Sequence, residues 1–574
     1  VIQDTIKKLI DDALEALELP QASFVIEHPE KVDFGDFSTN IALVLSKQVG
    51  KNPRELASTI SEELQKNLPS SISKIETAGP GFINFYLSKE FFALELKNIL
   101  EKGEEYGTNK NLEGKKMLFE YTDPNPFKQF HIGHLMSNAI GESLSRIAEF
   151  QDARVTRISY GGDVGLHVAK TMWGILQKKD TFPADTDSIS VKAKYLGEVY
   201  VLGSNAYEDD AKAQEEIKNL NKVIFEMSDF SLFDYYKKGK EWSVEHFHEI
   251  YKKLDTKFDH EHFESETISK GISLVEEFLE KGVFEKSEGA IVYRGEDEGL
   301  HTRVFINSQG LPTYEAKELG LTSLKFEKYN PDISVVITAD EQTDYFKVIL
   351  SVLGKINKDW AERTQHVAHG MMRFADGKMS SRKGNVITGE SLILDTEEAV
   401  REIIKERELP EEIKNQIAEF VAVSAIKYSV LRQTPGGNII FDKSKAISFE
   451  GDSGPYLQYT AVRANSVLEK AENSGTKREA KIPNFETMQK EIYKIEHLLY
   501  RFPEVVARAG DEKSPHHIVT YLTELASAFN GFYANNKIID AGEESGYRLG
   551  ITKAVHNILW NGLYLLGIRV PERM

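Results

Sequence analysis

The stretch NPFKQFHIGHLMSNAIG, Asn125 to Gly141, sets two histidines around one glycine just before an amphipathic run. His131 and His134 are three positions apart, so in a first helical turn their imidazoles project from one face. Unpaired N–H groups and the dipole at that end of a helix favour phosphate. Gly133 removes a side chain where an adenine or ribose would need close backbone approach. Far downstream, FADGKMSSRKGNVITG carries Lys378, Arg382 and Lys383 among glycines and serines, a composition suited to a mobile phosphate clamp. Alone, a helix-start histidine is as readily a cap, and a basic loop as readily a solvated turn. Two such loops, each following a predicted strand, together point to nucleotide chemistry.

The surrounding elements must bring those loops together. KKMLFEYT reads as a strand, DPNPFKQF as a loop and IGHLMSNAIGESLSRIAEFQ as a helix, followed by the strand ARVTRISYGG and the helix GLHVAKTMWGILQK. Such alternation predicts a parallel sheet with helical crossovers, which binds ligands at the carboxyl ends of its strands. A charged helical stretch over about 181–285 interrupts the rhythm and reads as an insertion. Alternation resumes with GAIVYR, TRVFINSQGLPTYEAKELGLTSL, DISVVITADEQTDYFKVILSVL and QHVAHGMMRF. The predicted fold is multidomain. A small α+β domain covers 1–90, where Ile2, Ile6, Leu9, Ala13 and Leu17 mark an amphipathic helix. There Asp36 or Ser38 could cap a helix, and GPG turns one strand into the next. A Rossmann-like α/β domain covers 108–390, and a mostly helical region covers 391–574, with a bundle from about 454.

Composition narrows the chemistry. A length of 574 residues implies roughly three or four domains. The chain has no cysteine, which excludes disulfides, thiolate nucleophiles and Cys-ligated zinc or iron–sulfur centres. A reducing cytoplasm is the natural compartment for such a chain. The net charge of −19 argues against wholesale polyanion binding but leaves room for local basic strips. No apolar run approaches the ~18 residues of a membrane span. The first twenty residues are too acidic for a signal peptide, and a start at Val1 suggests processing or a shortened start.

HIGH at 131–134 with KMSSR at 378–382 resembles the paired motifs of class I aminoacyl-tRNA synthetases, whose second motif is usually KMSKS. Ser381 stands at the second lysine, and either Arg382 or Lys383 could supply that charge. Four further segments are similar to arginyl-tRNA synthetases: VDFGDFSTNIAL, EYTDPNPFKQFHIGHLMSNAIG, LPTYEAKELGL, and FEGDSGPYLQYTAVRANSVL with the terminus GLYLLGIRVPERM. The resemblance implies a tRNA-binding N-terminal domain, a Rossmann-like catalytic domain and an anticodon-binding helical bundle. It implies attack of the arginine carboxylate on the α-phosphorus of ATP, then transfer of the aminoacyl group to the terminal adenosine of tRNA(Arg). ATP is then a substrate accompanied by Mg²⁺, no zinc is expected, and tRNA is expected to be needed before activation. His131, His134, Gly133 and Lys128 are carried over to ATP, and Lys378 to the leaving pyrophosphate. Glu120, Asn125, Tyr314, Glu318 and Gln342 are carried over to arginine, although many relatives have aspartate where Glu318 stands. Tyr456, Tyr459 and Arg463, at i, i+3 and i+7, are carried over to tRNA, as are Phe82, Asn84 and Met574. A monomer free of membranes is expected.

Physical chemistry gives that resemblance a test. Arginine carries a planar cation with five donors, which carboxylates at fixed angles recognise best. Glu120 ends the strand that delivers the His131 loop, and Glu318 follows Tyr314 by one helical turn. By position alone, Glu318 could be an exposed helix acid, Tyr314 a core aromatic and Asn125 a turn residue. Three rivals stand beside this reading: another class I synthetase, a small nucleotidyl transferase sharing H-x-G-H, and a silent tRNA-binding paralogue. Cysteinyl enzymes need a zinc-bound cysteine that this chain lacks. A small transferase would not need the long helical C-terminal region. A silent paralogue would not need Glu120, His131, His134 and Lys378.

Overall fold

A computed structural model describes residues 2–226, 230–375, 387–473 and 492–574. They form two compact units, one of Val1–Gly107, Thr460–Glu504 and Tyr521–Asn561, the other of Thr108–Tyr459, Val505–Thr520 and Gly562–Met574. The second unit is built on five parallel strands. Their spatial order is Thr364–His369, Ile333–Ala339, Lys116–Glu120, Arg154–Gly161, His260–Phe263. Met117, Leu118, Phe119, Val335, Val336 and Ile337 are buried, the near-continuous apolar pattern of a sheet covered on both faces. The strand that comes first in sequence is central. The order therefore reverses between Lys116–Glu120 and Ile333–Ala339, and that switch point opens the ligand crevice of such sheets.

The helix Ile132–Phe150 follows the central strand and returns along the sheet. A side chain at Gly141 would put its Cβ 2.2 Å from Tyr121 Cγ, so glycine permits the close helix–strand approach. Leu135, Met136 and Ala139 of this helix share a core with Val421, Ala425 and Ile426 of the helix Glu411–Leu431.

Two features differ from the sequence reading. GAIVYR and TRVF do not continue the parallel sheet. Ala290–Tyr293 and Arg303–Ile306 join Glu285–Ser287 in a separate antiparallel sheet of three strands. Conversely, His260–Phe263 lies within the stretch expected as an insertion, yet it is an edge strand of the parallel sheet. Only four residues long and rich in histidine, it carries little of the β-branched signal that marks a strand. Before it come the helices Ile189–Asp209, Ala211–Glu226 and Phe230–Lys253.

In the other unit the strands Ile26–Glu27, Phe37–Thr39, Phe82–Leu87 and Ile72–Ala78 pair antiparallel in that order. The amphipathic helix Ile2–Ala16 buries Ile6, Ile10, Ala13 and Leu14. Asp36 caps no helix. It is buried, accepts the Leu87 backbone N–H at 2.9 Å, and pairs with His497 at 2.5 Å. Tyr500 completes the same core beside Phe37 and Phe92, which joins C-terminal helical residues to the N-terminal sheet.

Candidate active site

The His131 pair forms the start of the helix Ile132–Phe150, with His131 as its N-cap. The two imidazoles stack with centroids 3.5 Å apart. His134 Nδ1 accepts the His131 backbone N–H at 3.3 Å, which assigns the proton of a neutral His134 to Nε2. Gly133 has a local reason too, because a Cβ there would lie 3.2 Å from the His131 ring. Desolvation where the rings pack, with Lys128 adding, pushes His131 down to about 4. Burial, with His131 and Lys128 adding, pushes His134 well below the ordinary imidazole range. Both rings are therefore neutral near pH 7 and present N–H dipoles beside the helix N-terminus, an arrangement suited to phosphate oxygens. Lys128 lines a cavity of about 170 Å³ shared with Lys194, His246 and Glu390. Burial lowers the Lys128 pKa against the opposing charge of Glu264.

Beyond the central strand lies a buried acidic cluster. Glu120 is 3% exposed, and Glu318 on the helix Tyr314–Lys328 is 7% exposed, so the exposed-acid reading of Glu318 does not hold. Lys325 of the same helix is fully buried, donates to Glu120 Oε2 at 2.6 Å and lies 3.7 Å from Glu318 Oε1. Burial pushes the Glu318 carboxyl up to about 7, with Lys325 opposing and Glu120 adding. Desolvation and the Glu120 charge also raise Asp123, whose Oδ1 accepts the Tyr160 N–H at 2.8 Å. A second internal ion pair joins Lys317 to Glu264 at 2.5 Å. Three acidic side chains thus share one ammonium at the switch point, and burial with their mutual repulsion raises Glu318 and Asp123, so an added cation would favour their ionised forms.

The remaining arginine candidates stand on several elements of the same unit. Asn125 Oδ1 accepts the Gly162 N–H at 2.8 Å, so the side chain has its NH₂ group to offer a ligand. Tyr314 is 62% exposed and is no core aromatic; the Lys317 ammonium sits 4.4 Å above its ring. Gln342 is exposed in the 3₁₀ turn Asp340–Gln342, just past the carboxyl end of the strand Ile333–Ala339. Lys378, Arg382 and Lys383 lie outside the described residues. The chain resumes beside the histidine pair: Thr388 forms a β-bridge with His131, and Gly389 N donates to Phe130 O at 2.8 Å.

The sequence reading missed Lys325, Lys317 and Glu264. Lys325 lies two helical turns beyond Glu318, on the same face, and that spacing was the available signal. No spacing could have announced Glu264, which reaches the site from another helix, Glu264–Glu280.

Residues 95–443 match the family described as tRNA synthetases class I (R), catalytic domain. Residues 4–87 match the arginyl tRNA synthetase N terminal domain, and 457–574 the DALR anticodon binding domain. The chain belongs to the arginyl-tRNA synthetase family. A curated arginine–tRNA ligase of Clostridium perfringens is 30% identical over 99% of this chain and 100% of its own. That of Clostridium kluyveri is 32% identical over 100% and 99%. The Thermus thermophilus arginyl-tRNA synthetase structure superposes with a TM-score of 0.82 at 22% identity, covering 100% of both chains. The Plasmodium falciparum structure gives 0.79 at 20%, covering 100% of this chain and 99% of that one. As a member of this family the chain is an arginine–tRNA ligase, with ATP as the other small substrate.

The tRNA candidates of this family member lie in varied settings. Phe82 is half-buried, whereas Asn84 on the same strand is 4% exposed and accepts from Ser38 Oγ at 2.8 Å. Asn84 therefore supports its own sheet and presents little surface to a partner. Tyr456 and Tyr459 are half-buried, and Tyr459 meets Phe449 edge-on at 6.2 Å. Arg463 donates to Asn530 and lies 5.3 Å from the Tyr533 ring centroid. Met574 is half-buried against the core that contains Phe130 and Leu135.

Proposed function

We propose that the ligation runs through two neighbouring half-sites at the switch point. One is the cluster of Glu120, Asp123 and Glu318, which receives the guanidinium. The other is the start of the His131 helix, which receives the triphosphate. The observation that carries this reading is the meeting of Glu120 and Glu318 in one buried cluster at the central strand's carboxyl end. Asn125, Tyr314 and Gln342 then surround the amino acid's body and carboxylate. His131 and His134 donate neutral N–H groups to phosphate oxygens, Gly133 lies under the adenosine, and Lys128 adds a cation. Lys378, with Arg382 or Lys383, is assigned to the charge of the leaving pyrophosphate. The β-bridge of Thr388 to His131 supports this by tying the chain after that segment to the histidine pair.

Little covalent chemistry falls to the protein. The arginine carboxylate supplies the nucleophile, pyrophosphate leaves, and positioning with charge stabilisation lowers the barrier. Mg²⁺ accompanying ATP would neutralise charge on its phosphates; among the described residues no cluster of side chains is arranged to hold the ion. Segment 1–90 serves as a tRNA-binding domain, 108–390 as the catalytic domain, and the helices from about 454 as the anticodon-binding bundle. Phe82, Tyr456, Tyr459, Arg463 and Met574 are the proposed tRNA contacts, with Asn84, bonded to Ser38, on the same strand as Phe82. The cysteine-free composition supports a cytoplasmic setting, and the active species is taken as a monomer.

The test is ATP–pyrophosphate exchange with each amino acid, with and without tRNA. Exchange driven by arginine alone among the amino acids, and dependent on tRNA, is the expected result. Exchange with lysine at a comparable rate, or with no amino acid at all, overturns the assignment of the acidic cluster.

A further inference from the structure

Lys325 has no counterpart among the residues assigned above. It is fully buried beneath Glu120 and Glu318, so no substrate atom reaches its ammonium from solvent. Its two carboxylate contacts take one oxygen from each acid, Oε2 of Glu120 and Oε1 of Glu318. The second oxygen of each remains as the acceptor a guanidinium edge would use. A lone carboxylate buried this deeply resists ionisation, and two buried side by side resist it more. An arginine site nevertheless needs both ionised and both held at fixed angles.

We propose that Lys325 is the positioning residue of the arginine pocket: an internal ammonium, in contact with one oxygen of each acid, that favours the ionised form of Glu318 and fixes the angle at which Glu120 and Glu318 meet the substrate. The inference rests on the assignment of those two acids to arginine. Every charged or titratable group facing the trio is consistent with it. Glu120 comes from the central strand, Asp123 from the loop after it, and Glu318 from Lys325's own helix. Glu264 faces Glu318 from the helix Glu264–Glu280, with Lys317 as its direct partner. Tyr160 and Tyr345 also face the acids, and burial raises both phenols well above their ordinary range, so neither takes up charge near neutrality. Desolvation opposes the Lys325 ammonium, but Glu120 and Glu318 outweigh it and hold the pKa above that of an ordinary lysine.

The experiment compares wild type with Lys325→Met, Lys325→Arg, Glu120→Gln and Glu318→Gln in tRNA-dependent pyrophosphate exchange from pH 6 to 9. For Lys325→Met, KM for arginine should rise at least about tenfold while KM for ATP stays within about twofold. The acid limb of kcat/KM for arginine should move up by about one pH unit or more, the usual effect of removing a cation beside a carboxylate. Lys325→Arg keeps the charge and should leave that limb near its wild-type position. An unmoved limb in Lys325→Met, or equal losses for ATP and arginine, overturns the inference and makes Lys325 a packing residue. Should Lys325→Met fail to fold, a shifted limb in Lys325→Arg overturns it equally. If Glu120→Gln and Glu318→Gln leave KM for arginine unchanged, the site assignment itself fails. If they raise it while the limb of Lys325→Met stays fixed, only the role of Lys325 falls.

Discussion

Two lysines in the same unit are buried to the same extent, 0% exposed, and carry opposite electrostatics. Lys325 sits between Glu120 and Glu318 and is held above the ordinary lysine range. Lys427, on the helix Glu411–Leu431, donates to the backbone carbonyls of Leu254 at 2.6 Å and Gly567 at 2.7 Å. Burial, with the nearby Arg146 guanidinium adding, pushes Lys427 down to about 7. Carbonyl dipoles satisfy its protons but do not offset the loss of water, whereas carboxylates do both. Burial alone therefore says nothing about charge; the partners decide it.

Breaking the acid-paired side should cost most. Glu120→Gln leaves the Lys325 ammonium buried with one weakened partner. The expected loss in kcat/KM for arginine is roughly 10³-fold, about 4 kcal/mol, as for other buried pairs deprived of one member. Aminoacylation kinetics with limiting arginine measure it, and a loss under tenfold contradicts the pairing.

Lys427 gives the converse test, in stability. Its folded pKa lies below its unfolded value, so between about pH 7 and 10.5 the unfolded chain binds more protons than the folded one. Stability from this group therefore rises with pH through that window, is lost as pH falls back from 10.5 to about 7, and does not change further below it. Lys427→Met removes the dependence. Melting temperatures of wild type and variant should diverge in favour of wild type as pH rises, by at most about 5 kcal/mol of differential stability. Parallel pH profiles would show that Lys427 stays fully charged when buried.

Gly141 lies between the two environments. It packs on Tyr121, the neighbour of Glu120, whose hydroxyl donates at 2.7 Å to Glu142 near Lys427. Gly141→Ala should destabilise the protein by about 2 kcal/mol through overpacking, read by denaturant unfolding. The smallest expected effect is a wild-type pH dependence: kcat/KM for arginine should fall about tenfold per pH unit below 7, as Glu318 takes up its proton. His131 and His134, neutral across that range, should not set this limb, so His131→Asn should lower the profile without moving it.

Much of this arrangement was legible in the chain. The histidine pair, its helix and the strand before it follow from local rules, so His131, Gly133, His134 and Glu120 could be placed before any coordinates. Glu318 was named, but its burial did not follow from its position, because a helix acid one turn in faces core or solvent according to what packs on that face. The edge strand His260–Phe263 was hidden by its length and its histidines. The strands Ala290–Tyr293 and Arg303–Ile306 were visible as strands, but alternation could not say to which sheet they belonged.

By itself the amino-acid sequence determined most of the segments that become helix or strand and where the His131 helix starts, because those depend on side-chain sterics and hydrogen bonds a few residues apart. Tertiary structure alone decided that Lys325, 205 positions from Glu120, lies between two carboxylates while Lys427 donates to the carbonyls of Leu254 and Gly567. The charge of a buried group is set by the distance to its partners and the absence of water around it, and neither quantity is written in spacing along the chain.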